Sequence, residues 1–216
     1  MYLQQRPAYP AISTAGLLGQ VLGITGIGFI ITAIAAYVFR GVSPAVGLGA
    51  MLIGLVLLFA MSGVRRQPQT ALLMFYAFTF LEGIGLAPVI AQYVTRIGPE
   101  VVVDAAATTG LGMIVLGLVA YTFSFDFRRL ASFAFVALIA LLVVGLISIF
   151  VHFLQPGAYA WMTLGVFTLL TLVDFARIRA GGDGFSAVDL AISIYLDAIN
   201  IFIALLQLLG MRRSDD

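Results

Sequence analysis

The fold of this chain is decided by residues 157–210, which read GAYAWMTLGVFTLLTLVDFARIRAGGDGFSAVDLAISIYLDAINIFIALLQLLG. Two apolar segments, each long enough to cross a bilayer, are joined by a short polar connection from Arg177 to Ser186. Asp174 interrupts the first segment and Asp197 interrupts the second. A charged side chain at the centre of a membrane helix costs about 2.5–3.5 kcal/mol, so such residues mark a functional site by default.

The two aspartates are predicted to lie at similar depths. Asp174 is six residues before Ala180, and Asp197 is eight residues after Asp189. At ~1.5 Å per residue these spacings place the carboxyl groups ~9 and ~12 Å from the connection, so they can meet on antiparallel helices. Two carboxyl groups in a low dielectric cannot both ionise cheaply, and they would share a proton. The pair is therefore either a pH-responsive switch or a permanently protonated pair that only holds the last two helices together.

The composition excludes several classes of protein. The chain has 216 residues, of which 62% are hydrophobic and only 10% charged, whereas soluble domains are about 45–50% apolar and about 25% charged. A net charge of +1 leaves no basic face for nucleic acid. There is no cysteine for disulfides, thiol catalysis or metal binding, and no lysine for a retinal Schiff base.

The whole chain, residues 1–216, is predicted to be one all-α integral membrane domain with seven transmembrane helices. The predicted spans are Gly16–Phe39, Pro44–Val64, Thr70–Tyr93, Val101–Phe125, Leu130–Phe153, Gly157–Ala176 and Ala187–Gly210.

The distribution of arginine predicts the orientation, because short cytoplasmic loops carry an excess of positive charge. Seven arginines fall on the side of the N-terminus: Arg6, Arg65, Arg66, Arg128, Arg129, Arg177 and Arg179. Four fall on the opposite side: Arg40, Arg96, Arg212 and Arg213. We therefore expect a multi-pass protein of the cell (inner) membrane with its N-terminus in the cytoplasm and its C-terminus outside. A re-entrant last segment would move the C-terminus to the cytoplasmic side.

Three further polar residues are candidates for an ion path or its gate. Glu82 lies near the middle of the third segment, where it either extends a ladder of oxygen ligands for a hard cation such as calcium or stays neutral beside a hydroxyl. Asn200 follows Asp197 on the same helix face and serves either a water-filled path or bonding between helices. Arg65, before the third segment, either pairs with an ionised aspartate or is an ordinary cytoplasmic arginine.

Glycines recur through the first segment at Gly16, Gly19, Gly23 and Gly26. Small residues allow helices to approach closely in lipid, so this stripe predicts a packing face.

Three stretches resemble the motifs of the Bax inhibitor family, also called the transmembrane Bax-inhibitor-motif proteins. FYAFTFLEGIGLAPVI at residues 75–90 resembles the motif of its third helix, and LVDFARI at residues 172–178 resembles its sixth-helix aspartate motif. SIYLDAINIFIALL at residues 193–206 is similar to its YLDxINxFxxLLR signature. The three occur in the family's order and spacing, and a bacterial member is the nearest comparison.

The resemblance implies six helices in two three-helix layers around a central C-terminal helix, and a pH-regulated passive calcium leak across the membrane. It assigns the family's paired aspartates to Asp174 and Asp197 and its arginine latch to Arg65. Gln207 stands where the family usually has arginine. The resemblance implies no enzymatic activity, no catalytic residue, no resident metal and no cofactor. Calcium would be the transported ion and the lipid bilayer the surrounding partner.

Two other functions compete with a leak pathway. A non-conducting membrane scaffold that regulates other proteins would have the same fold. An aspartyl intramembrane protease also has aspartates on its sixth and seventh helices, but it needs a GxGD motif at the second and a PAL motif after it. Here Ile194-Tyr195-Leu196 precedes Asp197, and the chain contains no PAL.

Overall fold

A computed structural model describes residues 13–64, 67–151 and 154–214. These residues form seven α-helices and one short 3-10 turn, and none of them is in a strand. The helices are α1 Thr14–Val38, α2 Pro44–Met61, α3 Pro68–Arg96, α4 Glu100–Thr122, α5 Phe127–Val151, α6 Pro156–Arg179 and α7 Ala187–Ser214, with the 3-10 turn at Ser62–Val64. All seven are long and apolar enough to cross a membrane, which confirms the predicted all-α membrane fold.

Local sequence signals determine where the helices begin. Proline occupies the first turn of α2, α3 and α6, where its missing N–H would have had no partner within the helix. A reciprocal capping box starts α7: the Ser186 amide donates to the Asp189 carboxylate at 3.1 Å, and the Asp189 amide donates to the Ser186 hydroxyl at 3.2 Å.

The α6–α7 connection is shorter than predicted because α6 continues through Arg179 rather than ending at Ala176. Arginines in a last helical turn interact favourably with the negative end of the helix dipole, so charge does not end this helix. The chain then turns through Gly181, Gly182, Asp183 and Gly184, which all have positive φ. Three glycines in four residues suit this reversal, because glycine adopts positive φ without a steric penalty.

The helices form two groups of three with α7 between them. In the first group α3 packs against α1 and α2, and in the second α6 packs against α4 and α5. α7 contacts α1, α3, α4 and α6, so it is the central helix that the resemblance implied. α7 is also a continuous helix of 28 residues, which makes it about 42 Å long and sufficient for a full crossing.

Close packing within the first group depends on glycines of α3. A Cβ atom on Gly83 would lie 2.5 Å from the carbonyl oxygen of Thr32 on α1, closer than such atoms can approach. By contrast, a Cβ atom on Gly19, Gly23 or Gly26 would meet nothing within 4 Å. The predicted packing face on the first helix is therefore wrong for these three glycines, because small size permits a close contact but does not specify which face makes it.

Candidate functional site

The side chains of Tyr195 and Asp197 point to opposite flanks of the central helix α7. Residues two apart on a helix are rotated by about 200°. Tyr195 therefore packs toward α1 and α3, while Asp197 lies beside Asp174 of α6. Both aspartates are buried, Asp174 at 6% and Asp197 at 4% relative exposure.

Asp174 is held by an arginine of its own helix. Its Oδ1 lies 2.6 Å from a terminal nitrogen of Arg177, which is three residues further along α6. The Ser193 hydroxyl of α7 also adjoins this carboxyl. Arg177 in turn lies over the Phe185 ring, with 4.8 Å between its central carbon and the ring centroid. Carboxylate and aromatic ring together compensate the charge of a guanidinium that is only 20% exposed.

Asp197 is less well satisfied. Its carboxyl adjoins the Thr171 hydroxyl of α6 and is close enough to Asp174 and Arg177 to interact with both electrostatically. The Thr171 hydroxyl donates its proton to the Phe167 carbonyl at 2.7 Å, so that proton is engaged within α6. The buried Oδ2 of Asp197 has no hydrogen-bond partner among the described residues. Unsatisfied buried carboxylate oxygens are costly, so this atom favours a bound proton or cation.

The charges of the site do not balance when both carboxyl groups are ionised. Two carboxylates face one guanidinium, which leaves one net negative charge in a region of low dielectric. One proton, or one cation held between oxygen ligands, would restore the balance. The flanking core is otherwise apolar and includes Val21 of α1 and Ala120 of α4. This arrangement can exchange a proton or a cation.

On the opposite flank, the Tyr195 hydroxyl joins α7 to α1 and α3. It lies 2.6 Å from the Thr32 hydroxyl, which also lies 3.0 Å from the Gly28 carbonyl and 2.9 Å from the Thr79 carbonyl. Because Thr32 has one hydroxyl proton and two carbonyls to accept it, Tyr195 is the donor to Thr32. The Tyr195 ring stacks on Phe29 and meets Phe75 and Phe78 edge-on.

The other predicted site residues are not gathered at the aspartate pair. Glu82 is half-buried in the middle of α3 and is close enough to Tyr195 to interact with it electrostatically. Within the described part of the chain, it forms no hydrogen bond or ion pair with Asp174 or Asp197, with which it could form a ladder of oxygens. The Asn200 amide donates to the Leu196 carbonyl of its own helix at 2.8 Å. Arg65, the expected latch, lies outside the described residues.

Sequence reasoning missed two residues of this region. The arginine count treats Arg177 only as a loop residue that sets orientation. Its spacing of three from Asp174 was the available signal, because residues three apart are neighbours on one helix face. The sequence shows Tyr195 only as part of a motif, and its role depends on Thr32, which is 163 residues away in the chain. No local pattern predicts that contact.

Seven apolar helices around buried acids define a multi-pass helical membrane protein, and the comparisons with known proteins identify its family. Residues 14–214 match the family model described as "Inhibitor of apoptosis-promoting Bax1". The chain therefore belongs to the Bax inhibitor-1 family.

Relatives occur in bacteria and in a yeast. An uncharacterized membrane protein of Vibrio cholerae is 33% identical over 180 residues, which cover 82% of this chain and 79% of the relative. A protein of Borreliella burgdorferi is 30% identical over 221 residues, covering 92% of this chain and 93% of the relative. The protein of Schizosaccharomyces pombe named Bax inhibitor 1 is 33% identical over 169 residues, covering 76% of this chain and 61% of the relative.

Proposed function

We propose that this protein is a pH-regulated passive calcium leak pathway, gated by the buried pair Asp174 and Asp197. The observation that carries the proposal is the charge of the site. Two buried carboxyl groups face the single guanidinium of Arg177, and the buried Oδ2 of Asp197 has no hydrogen-bond partner in the described part of the chain. Such a site takes up one proton or one cation, which is the requirement for a proton-controlled cation path.

The proton would act through electrostatics and packing together. With one proton on the pair, the site and Arg177 are neutral overall, and the helices α6 and α7 can pack closely. When that proton leaves, a net negative charge in a low dielectric favours water and a hard cation with oxygen ligands. On this mechanism calcium flux increases as pH rises through the range in which the pair loses its proton.

Three other residues have secondary roles in the proposal. Arg65 would assist closure from the cytoplasmic end of α3, as the family resemblance implies. Glu82 and Asn200 would line the path beyond the aspartate pair. Tyr195 of α7 interacts electrostatically with Glu82, and a path that joined Asp197 to Glu82 would pass from one flank of α7 to the other. The protein is proposed to be neither an enzyme nor a cofactor-binding protein, with calcium as the transported ion.

The leading alternative is a non-conducting regulator of other membrane proteins, and it draws on the name Bax inhibitor 1 of the S. pombe relative. In that case the aspartate pair and Arg177 would only hold α6 against α7. An aspartyl protease is a more distant alternative, and assays of peptide cleavage by the reconstituted protein would detect it. Flux through the purified protein alone distinguishes a leak pathway from both.

The test is calcium flux into liposomes that contain the purified protein, across a pH series and beside magnesium and potassium. We expect Asp174→Asn and Asp197→Asn each to flatten the pH dependence between about pH 5 and 8, the range that a buried carboxyl group can reach. Asp183→Asn is the control. Asp183 lies on the same side of the membrane but forms an exposed ion pair with Arg128, and asparagine tolerates its positive φ.

The possible outcomes separate the proposals. A wild-type pH profile in both aspartate variants would exclude the pair as the sensor. Absence of calcium flux through wild-type protein at every pH would favour the non-conducting regulator. Loss of pH dependence in Asp183→Asn as well would indicate a general surface-charge effect and contradict the assignment to the buried site.

A further inference from the structure

The end of the bundle away from the aspartate pair has a second polar site. A cavity of about 590 Å³ opens between the C-terminal ends of α3 and α7, a volume within the range of small-molecule sites. Its polar wall consists of Gln92, Arg96 and Arg213, and its apolar wall includes Tyr93 and Ile97. None of these residues takes part in the proposed leak mechanism.

The two arginines of this cavity differ in how well they are paired. The Arg213 guanidinium bonds to the Asp104 carboxylate of α4 at 2.6 Å. Arg96 contacts a neutral partner: with its amide oxygen turned toward Arg96, Gln92 accepts from both terminal nitrogens at 3.1 Å. Side-chain exposure of 38% for Arg213 and 51% for Asp104 shows that their ion pair faces water. Such exposed pairs are weak and can exchange partners.

We propose that this cavity binds the phosphate of an anionic phospholipid headgroup between Arg96 and Arg213. Guanidinium groups recognise phosphate oxygens through paired hydrogen bonds. The cavity lies at the ends of two membrane-spanning helices, the depth at which headgroup phosphates occur. Basic pockets between transmembrane helices bind such headgroups on the cytoplasmic side, and the two guanidinium groups here offer the same chemistry on the opposite side.

The surroundings favour a lipid over a soluble phosphate. Val94, next to Tyr93 on α3, and Val103 on α4 are exposed on the surface of the bundle, and they offer apolar surface for an acyl chain. The opposing charge is Asp104, which competes with the phosphate for Arg213. The described charged side chains of this end are Arg40, Arg96, Arg212 and Arg213 against Glu100 and Asp104, so the balance is positive by two.

The experiment measures lipid retained by the full-length protein in detergent, using native mass spectrometry. Mixed micelles supply phosphatidylglycerol or the zwitterionic phosphatidylcholine. We expect wild type to retain phosphatidylglycerol preferentially, and Arg96→Gln and Arg213→Gln each to lower its retention about fivefold. Arg40→Gln is the control, because Arg40 lies on the same side of the membrane and, among the described residues, its guanidinium bonds to and stacks on Tyr37 alone. It should retain the lipid as wild type does.

A third variant distinguishes a binding role from a purely structural one. Asp104→Asn removes the competing carboxylate, so retention of phosphatidylglycerol should rise. If Arg213 and Asp104 only join α7 to α4, retention should not rise in Asp104→Asn. That result would overturn the proposal, as would equal losses in Arg40→Gln and Arg96→Gln.

Soluble anions test the source of the phosphate. Inorganic phosphate and glycerol 3-phosphate, added in millimolar excess, should not displace the retained phosphatidylglycerol, because they lack the acyl chains. Displacement by either anion to the level of the Arg96→Gln variant would contradict a lipid site and would identify a site for soluble phosphate. Wild-type retention in a variant that carries both arginine substitutions would exclude the cavity altogether.

Discussion

At the scale of single residues, the buried ion pair of Asp174 and Arg177 determines how the site responds to protons. Arg177 is close to both carboxyl groups of the pair, so its positive charge favours their ionised form. Its Nε is buried and has no hydrogen-bond partner in the described part of the molecule. The Asp174 carboxylate and the Phe185 ring hold the rest of the guanidinium in place, so its positive charge stays beside the aspartates.

Replacing this arginine should shift the response to pH. In Arg177→Gln the charge that favours the carboxylates is gone, so the pair should keep its proton to higher pH. The midpoint of calcium flux should then move upward by about one pH unit or more, as expected for loss of an opposite charge in contact. The measurement is the liposome flux series.

Arg179→Gln is the matched control for this prediction. Arg179 belongs to the same last turn of α6, but it donates to the Phe123 carbonyl at 2.8 Å and contacts neither aspartate. Its flux midpoint should equal that of wild type. A downward shift in Arg177→Gln would mean that the guanidinium favours the protonated pair, and the proposed sign of the response would be wrong.

The Tyr195 hydroxyl is the second polar contact whose loss should be measurable. Tyr195→Phe keeps the ring contacts and removes the donor to Thr32, which should cost about 1 kcal/mol. Thermal unfolding in detergent should occur about 2–4 °C lower. Tyr76→Phe should unfold at the wild-type temperature, because the Tyr76 ring contacts Phe75 but no hydrogen bond of its hydroxyl occurs among the described residues. Equal losses in both variants would contradict a specific role for the Tyr195 bond.

At the scale of elements, the helices follow closely from the sequence. Apolar length and proline positions place them because both act locally, and the depth of the aspartates follows from the constant rise of a helix. Contacts between helices cannot be predicted from local sequence in the same way. The glycines of α1 and α3 are equally small, yet Gly83 is pressed against Thr32 while Gly23 meets nothing within 4 Å. The difference lies in the rotation of each helix, which the whole bundle determines.

This difference between the glycines can be tested by stability. A Cβ atom on Gly83 would lie 2.5 Å from the Thr32 carbonyl and 2.6 Å from the Ala35 methyl. Gly83→Ala must therefore separate α3 from α1, at a cost of about 1–3 kcal/mol. Gly23→Ala adds the same methyl group on an open surface and should be neutral or slightly stabilising, because alanine favours helix. Thermal unfolding in detergent compares the two, and a Gly83→Ala protein as stable as Gly23→Ala would contradict the close approach.

At the scale of the whole molecule, the central position of α7 explains how this helix carries buried polar side chains such as Tyr195 and Asp197. α7 contacts helices of both groups, so its residues are sheltered from lipid on most sides. The α5 helix, by contrast, exposes large apolar side chains such as Phe133, Val136 and Phe150, as expected for a surface that faces acyl chains. The family resemblance implies this arrangement, whereas hydropathy alone counts the helices but does not order them.

The orientation of the bundle in the membrane is the last prediction. It rests on the arginine count, which is seven on the side of the N-terminus and four on the opposite side. Because the chain has no cysteine, single introduced cysteines report accessibility without background. Ser124→Cys lies in the α4–α5 connection and Gly41→Cys in the α1–α2 connection, and both positions are exposed. In intact bacterial cells a membrane-impermeant maleimide should label Gly41→Cys and leave Ser124→Cys unlabelled, while both should react after the membrane is permeabilised.

The opposite labelling pattern would place the N-terminus outside. Because the aspartate pair lies at the α6–α7 end of the bundle, it would then lie in the outer half of the membrane instead of the cytoplasmic half. The proton that the pair senses would then come from outside the cell.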